Sequence, residues 1–131
     1  SCYNGYDLSE EMLSKSKDRL KDFDGDLNLI NSSKITTLAD FTFVSGTFNV
    51  RFESTYEEWK KFIEETLHMI SESSHLGFSF NLLSKYVDWK EPHLFYGDPC
   101  YWFDYCKKNF SKQVSLLHDY PLYEWTILVR K

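Results

Sequence analysis

The stretch SCYNGYDLSEEML, residues 1–13, decides how the rest of the chain is read. Tyr3, Gly5 and Tyr6 lead in strand fashion to Asp7, and Ser9, Glu10 and Glu11 start a helix directly afterwards. A strand that runs into a carboxylate and then into a capped helix is how an α/β protein presents an acid to a ligand. The helix carries Met12, Leu13, Ser16 and Leu20 on one face, and its first-turn acids sit where the helix dipole favours negative charge.

Asp24-Gly25-Asp26 breaks this helix, and LNLIN follows as a short strand. ADFTFVSG is a buried strand that ends at Gly46. Thr55 and Glu58 have capping-box spacing, and Trp59, Phe62, Ile63, Thr66, Leu67 and Ile70 recur at the 3-and-4 spacing of one helix face. Residues 75–83 read as the next strand. Asp98-Pro99 opens a helix with proline at its first position and Trp102, Tyr105, Cys106 and Asn109 facing inward. QVSLLHDY and LYEWTILVRK, on either side of Pro121, form a closing antiparallel pair joined by a tight turn.

This order of elements predicts an α/β fold: a Rossmann-like, mostly parallel sheet with helices on both faces and a C-terminal antiparallel hairpin. At 131 residues and 42% hydrophobic content, the chain is expected to fold as a single domain spanning residues 1–131. A formal charge of −5, with no clustered Lys and Arg, argues against a nucleic-acid groove. No apolar stretch approaches the ~20 residues of a membrane helix. Cys2, Cys100 and Cys106 are odd in number and lack C-x-x-C spacing, and no apolar leader precedes them, so a reduced, cytoplasmic setting is expected. His68, His75 and His93 show no metal-ligand spacing with them, and no metal is expected.

Four stretches carry a family resemblance: YDLSEEML, ADFTFVSGTFNV, GFSFNLLSKY and LLHDYPLYEWTILVRK. Through them the chain resembles the class I S-adenosylmethionine-dependent methyltransferases, from the family's second strand to its carboxyl end. The resemblance omits the first strand and the Gly-rich turn after it, since Gly5 stands alone in SCYNG. In this fold the first strand lies at the centre of the sheet, between the strands at residues 3–7 and 41–45. Without it, each of those strands has an unpaired apolar edge. The expectation is therefore an incompletely recorded chain, or else a homodimer joined through the exposed edges.

The resemblance implies S-adenosyl-L-methionine as cofactor and assigns residues to it. Asp7 would accept hydrogen bonds from both ribose hydroxyls, a task suited to a carboxylate's two oxygens, although the same residue also reads as an ordinary helix cap. Leu8 would lie against the adenine. Many relatives place an acid after the third strand, whereas this chain has Asn31-Ser32-Ser33, whose polar groups either meet the adenine or form an ordinary turn. Ser45, Gly46 and Phe48 would border the methylsulfonium, and Asn49 would orient a substrate. Methyl transfer needs alignment and exclusion of water more than acid–base groups. The catalytic candidates are Asn49, His118 and Tyr120, with His118 equally readable as a structural hydrogen-bonder.

Aromatic residues make up 18% of the sequence, and Tyr86, Trp89, Phe95, Tyr96, Tyr101 and Trp102 crowd one connection. They read either as a pocket for an apolar or planar substrate or as core. The function implied is methyl transfer from S-adenosylmethionine to an unidentified substrate, a small molecule or one of unknown class, with this chain alone expected to be inactive. Its rival is a non-catalytic interaction module on a degenerate methyltransferase scaffold.

Overall fold

Parallel pairing of two strands requires a crossover, and the sequence supplies one at its start. A computed structural model describes residues 1–131. In it β1 (Cys2–Asp7) and β2 (Asp26–Asn31) lie parallel, with Tyr3 beside Leu27, Gly5 beside Leu29 and Asp7 beside Asn31. Helix α1 (Glu10–Arg19) makes the crossover. Its N-cap is Ser9, whose side chain accepts a hydrogen bond from the Met12 N–H, satisfying a donor that has no partner within the helix. Of the face read from the sequence, Leu13, Ser16 and Leu20 are half-buried and Met12 is exposed. Gly25 takes a positive φ of 152° in the turn before β2.

The chain divides into two compact units, Ser1–Leu38 and Ala39–Lys131, where the sequence reads as one domain. The second unit begins with β3 (Ala39–Val44), α2 (Tyr56–Ser73) and β4 (Ser74–Ser84). Then follow the short β5 (Tyr96–Gly97), α3 (Pro99–Asn109), β6 (Gln113–Leu117) and β7 (Glu124–Arg130). Its sheet has the order β3-β4-β7-β6, with β5 paired to the end of β4. β3 is parallel to β4, and β7 runs antiparallel between β4 and β6. The closing hairpin has the expected strands but a longer turn. β6 ends at Leu117, so His118 and Tyr120 lie in a connection of residues 118–123 rather than on a strand.

Both helices of this unit cover one face of the sheet. Register places Phe78, Phe80 and Leu82 of β4 opposite Val129, Ile127 and Trp125 of β7, and all six are buried. Phe80 packs edge-on against Trp102 of α3, Trp125 and Phe48, with ring centroids 6.3, 5.8 and 6.3 Å apart. α2 buries Trp59, Ile63, Leu67, Ile70 and Ser71; Phe62 is left exposed and stacks on Trp59. α3 buries Pro99, Trp102 and Cys106, while Tyr105 is half-buried and Asn109 exposed. Asn109 departs from the predicted inward face because it ends the helix, where its amide donates to the Tyr105 carbonyl. The predicted cover on two faces therefore does not extend to this unit: Phe41 and Phe43, on the opposite face, are exposed. Burial pushes the Cys106 thiol up to about 12. No helix is long and apolar enough to cross a membrane.

Candidate functional site

The loop after β3 is shaped by two asparagines. Gly46 takes a left-handed φ of 70°, and a Cβ there would meet nothing within 4 Å, so the turn is open on that side. Asn81 of β4 holds it from below. Its Oδ1 accepts from the Gly46 N–H at 2.8 Å, and its Nδ2 donates to the Ser45 hydroxyl at 3.2 Å. Asn49 acts in the same way one turn later. Its Oδ1 accepts from the Leu83 N–H at 3.2 Å and its carbonyl from the Phe95 N–H at 2.8 Å, which ties the loop to both ends of the connection that follows β4.

Phe48 corrects an expectation. It is 0% exposed, packed on Phe80, and its carbonyl accepts from the Trp59 indole N–H at 2.9 Å. The loop turns this side chain into the core, so it does not border a ligand at the surface. Asn49 is likewise engaged in backbone bracing, which takes its Oδ1 away from any substrate.

At the carboxyl end of β4, Ser84 is fully buried. Its Oγ accepts from the Tyr86 N–H at 3.1 Å and lies 2.8 Å from His118 Nε2. A buried hydroxyl left without an acceptor is costly, so we assign the hydroxyl proton to His118 Nε2. The ring then carries its own proton on Nδ1. With Nε2 engaged by Ser84 Oγ, that nitrogen is not free to take a proton from a substrate in this arrangement. Tyr120 is also unsuited to that role. Its hydroxyl pairs with Thr126 Oγ1 at 2.9 Å, and burial raises its pKa above that of an ordinary phenol.

Next to this point Lys85 Nζ meets Asp98 Oδ2 at 3.0 Å, while Asp98 Oδ1 caps α3 through the Cys100 N–H. The lysine's hydrogen bond holds the Asp98 carboxyl below its ordinary range, and the Lys85 ammonium is raised in return.

The other residues singled out from the sequence belong to the unit Ser1–Leu38. Asp7 ends β1, and its Oδ1 accepts from the Ser9 N–H at 2.8 Å. This fixes the carboxylate at the start of α1 and leaves Oδ2 without a protein partner. Leu8 beside it is 67% exposed. Ser32 closes a local turn, with Oγ accepting from the Lys34 N–H at 3.0 Å, and Ser33 is exposed. Asn81 and Ser84 were not singled out from the sequence. The available signal was a polar residue interrupting the apolar strand GFSFNLLS, where a side chain must reach a loop or leave a buried polar group unpaired.

No family model matches the chain. It is 47% identical over 133 aligned residues to "Putative methyltransferase Rv1506c" of Mycobacterium tuberculosis (strain ATCC 25618 / H37Rv), covering 98% of this chain and 78% of that protein. Among solved structures it superposes on magnesium protoporphyrin IX methyltransferase (ChlM) from Synechocystis PCC 6803 with bound SAH, with a TM-score of 0.73 at 9% identity. The match covers the whole of this chain and 64% of that one. The same enzyme with bound SAM gives a TM-score of 0.68 at 10% identity, over 60% of its length. This chain thus spans less than two thirds of the solved structures it resembles. Nearly half of its residues are shared with that mycobacterial protein along almost its entire length, and its strands and helices follow the fold of the magnesium protoporphyrin IX methyltransferase: the chain belongs to the family of the mycobacterial methyltransferase-like protein and has a methyltransferase-like α/β fold.

Proposed function

We propose that these 131 residues form the greater part of one methyltransferase domain that transfers a methyl group from S-adenosyl-L-methionine to a substrate not yet identified. The identity shared with the mycobacterial relative carries this reading. The residues present fit part of the cofactor. Asp7 has one carboxylate oxygen without a protein partner and would accept from the ribose hydroxyls; Leu8 offers an exposed apolar surface for the adenine, with Ser32 and Ser33 beside β2 as polar partners. In the unit Ala39–Lys131, taken by itself, the open side of Gly46 and the Ser45 hydroxyl, held in shape by Asn81, offer polar groups to a ligand. Phe48 supplies only backbone. The bound cofactor provides an electrophilic methyl group; what the chain provides is alignment and shelter from water.

Within these residues Gly5 stands alone in its stretch, and no Gly-rich turn is formed. β1 is paired only to β2, and β3 only to β4, so each has an edge that can accept another strand.

Calorimetric titration tests the proposal. The 131 residues alone are expected to bind S-adenosylmethionine weakly or not at all, and a micromolar Kd would overturn the placement of the missing turn. In a chain that includes the turn, Asp7→Ala is expected to weaken binding by about 1.5–3 kcal/mol, the range for hydrogen bonds to a charged group. Unchanged binding by a folded Asp7→Ala variant would remove the ribose assignment.

A further inference from the structure

Between the loop that ends at Asn49 and helix α2 lie residues 50–54, which are zipped to residues 92–95. The Phe95 N–H donates to the Asn49 carbonyl at 2.8 Å and the Arg51 N–H to the His93 carbonyl at 3.0 Å. Between them Val50 and Leu94 form an antiparallel bridge that no ladder continues. The Arg51 guanidinium adds two further bonds, from Nη1 to the Ser54 carbonyl at 2.6 Å and from Nη2 to the Pro92 carbonyl. The Arg51 carbonyl in turn accepts from the Ser54 N–H at 3.1 Å, which closes a turn around Phe52.

Phe52 is the one non-glycine residue of the chain with a positive φ, 55°. The left-handed region crowds a bulky side chain, and a backbone stays there only where the bonds around it leave no alternative. Burial of the ring is not the reason, because Phe52 is 71% exposed and meets Trp59 only edge-on, with centroids 5.9 Å apart. The constraint comes from Arg51 on one side and the Arg51–Ser54 turn on the other. Both ends of the segment are fixed. Asn49 Oδ1 accepts from the Leu83 N–H of β4, and Thr55 caps α2 in a complete capping box. Beside Thr55, Tyr56 stacks on the wholly buried Phe95 at 4.6 Å. Val50, Phe52 and Glu53, between these anchors, are all exposed.

We propose that residues 50–54 are a two-state strap, fastened by the Arg51 guanidinium and loaded by the Phe52 backbone, that opens between Asn49 and Thr55 while the sheet stays folded. Opening breaks the bonds to Pro92 and His93 and lets Phe52 leave the left-handed region, so the open state recovers the strain that the closed state stores. It also releases a guanidinium, whose fork matches a carboxylate or phosphate, two residues beyond Asn49. The device rests on the bonds of the unit Ala39–Lys131 and not on the methyltransferase reading.

Amide exchange followed by NMR on the 131-residue chain tests it, without cofactor. In the parent, exchange of the Arg51 N–H is expected to be nearly independent of low urea, as befits an opening that bares little surface, while amides of β4 and β7 quicken with urea. In Arg51→Met the amide at 51 should exchange at least about tenfold faster, with Leu83 and the rest of β4 as in the parent. Arg51→Lys should not restore the parent rate, since an ammonium is a point charge without the fork that reaches both carbonyls. The strain is isolated by two variants that both lose the ring: with Asn, which tolerates the left-handed region, the amide at 51 should exchange about threefold more slowly in Phe52→Asn than in Phe52→Ala. Exchange at Arg51 that shares the urea dependence of β4 and β7, a rate unaltered by Arg51→Met, or equal rates in the two Phe52 variants would overturn the proposal. The urea arm uses the parent alone, so it decides even where a variant does not fold.

Discussion

The two units use the same local code and reach different ends. In Ser1–Leu38 helix α1 begins at Ser9 with two acids in its first turn and buries none of its residues, while Tyr3, Leu8 and Met12 remain exposed. In Ala39–Lys131 helix α2 begins at Thr55, also with two acids in its first turn, and buries five. Capping and dipole signals therefore do not separate them. The number of strands does: α2 shares its sheet face with α3 over four ordered strands, whereas α1 has only β1 and β2. A two-stranded sheet is marginal in water, and a 38-residue βαβ unit is below the size at which a core usually sustains itself.

The sharpest way to break this contrast is to remove one core side chain from each unit. Trp102 sits against Phe80 and is almost wholly buried, so Trp102→Ala is expected to destabilise by about 3–5 kcal/mol. Leu13, half-buried on α1, should contribute well under half of that in Leu13→Ala. Urea unfolding followed by circular dichroism gives both numbers. Comparable losses would mean that the first unit has a core that the structure does not show.

A smaller test uses the shared code directly. Thr55 and Glu58 form a complete capping box, and Thr55→Ala is expected to lower global stability by about 1 kcal/mol. Ser9→Ala removes the equivalent acceptor from Met12 N–H. Because α1 is packed so lightly, its loss should appear as faster amide exchange within α1 and leave the exchange of β4 and β7 unaltered. Equal slowing or quickening in both units would show that they unfold together.

The contrast also explains what the sequence disclosed. Periodicity located every helix and every long strand, because a buried stripe on α2 or an apolar run such as GFSF is a property of neighbouring residues. It gave two of the three wholly buried positions of α3 and misplaced Asn109, since where a helix ends depends on a cap rather than on spacing. The candidate site was less legible. Asp7 and Gly46 announce themselves through a turn, but Phe48 points inward and Asn49 is spent on Leu83 and Phe95, and both facts depend on strands distant in sequence. Asn81 and Ser84 show in the sequence only as polar breaks in an apolar strand, and what they hold appears once β4 has been set beside β3 and His118.

The smallest expected effect concerns charge. One ion pair from each unit makes the comparison, Lys15–Glu11 along α1 and Lys85–Asp98 between the end of β4 and α3. The first is an exposed i,i+4 pair, and Glu11→Gln should change nothing measurable. The second is 39% and 38% exposed, so solvent screens it too, yet it bridges two elements and shifts both partners. Asp98→Asn keeps the side-chain oxygen that caps α3 and removes only the charge. Asp98 is depressed in the folded chain, so its contribution is present above the ordinary value of 3.8 and is lost as pH falls through the lower folded value. Lys85 is raised, so its contribution is present below the ordinary value of 10.5 and is lost as pH rises through the higher folded one. Thermal unfolding of parent and Asp98→Asn across the pH range should therefore differ only between these limits, and the difference should shrink in high salt. A gap that persists in strong acid, where both carboxyl and amide are neutral, would show that Asp98 acts through its cap geometry rather than through Lys85.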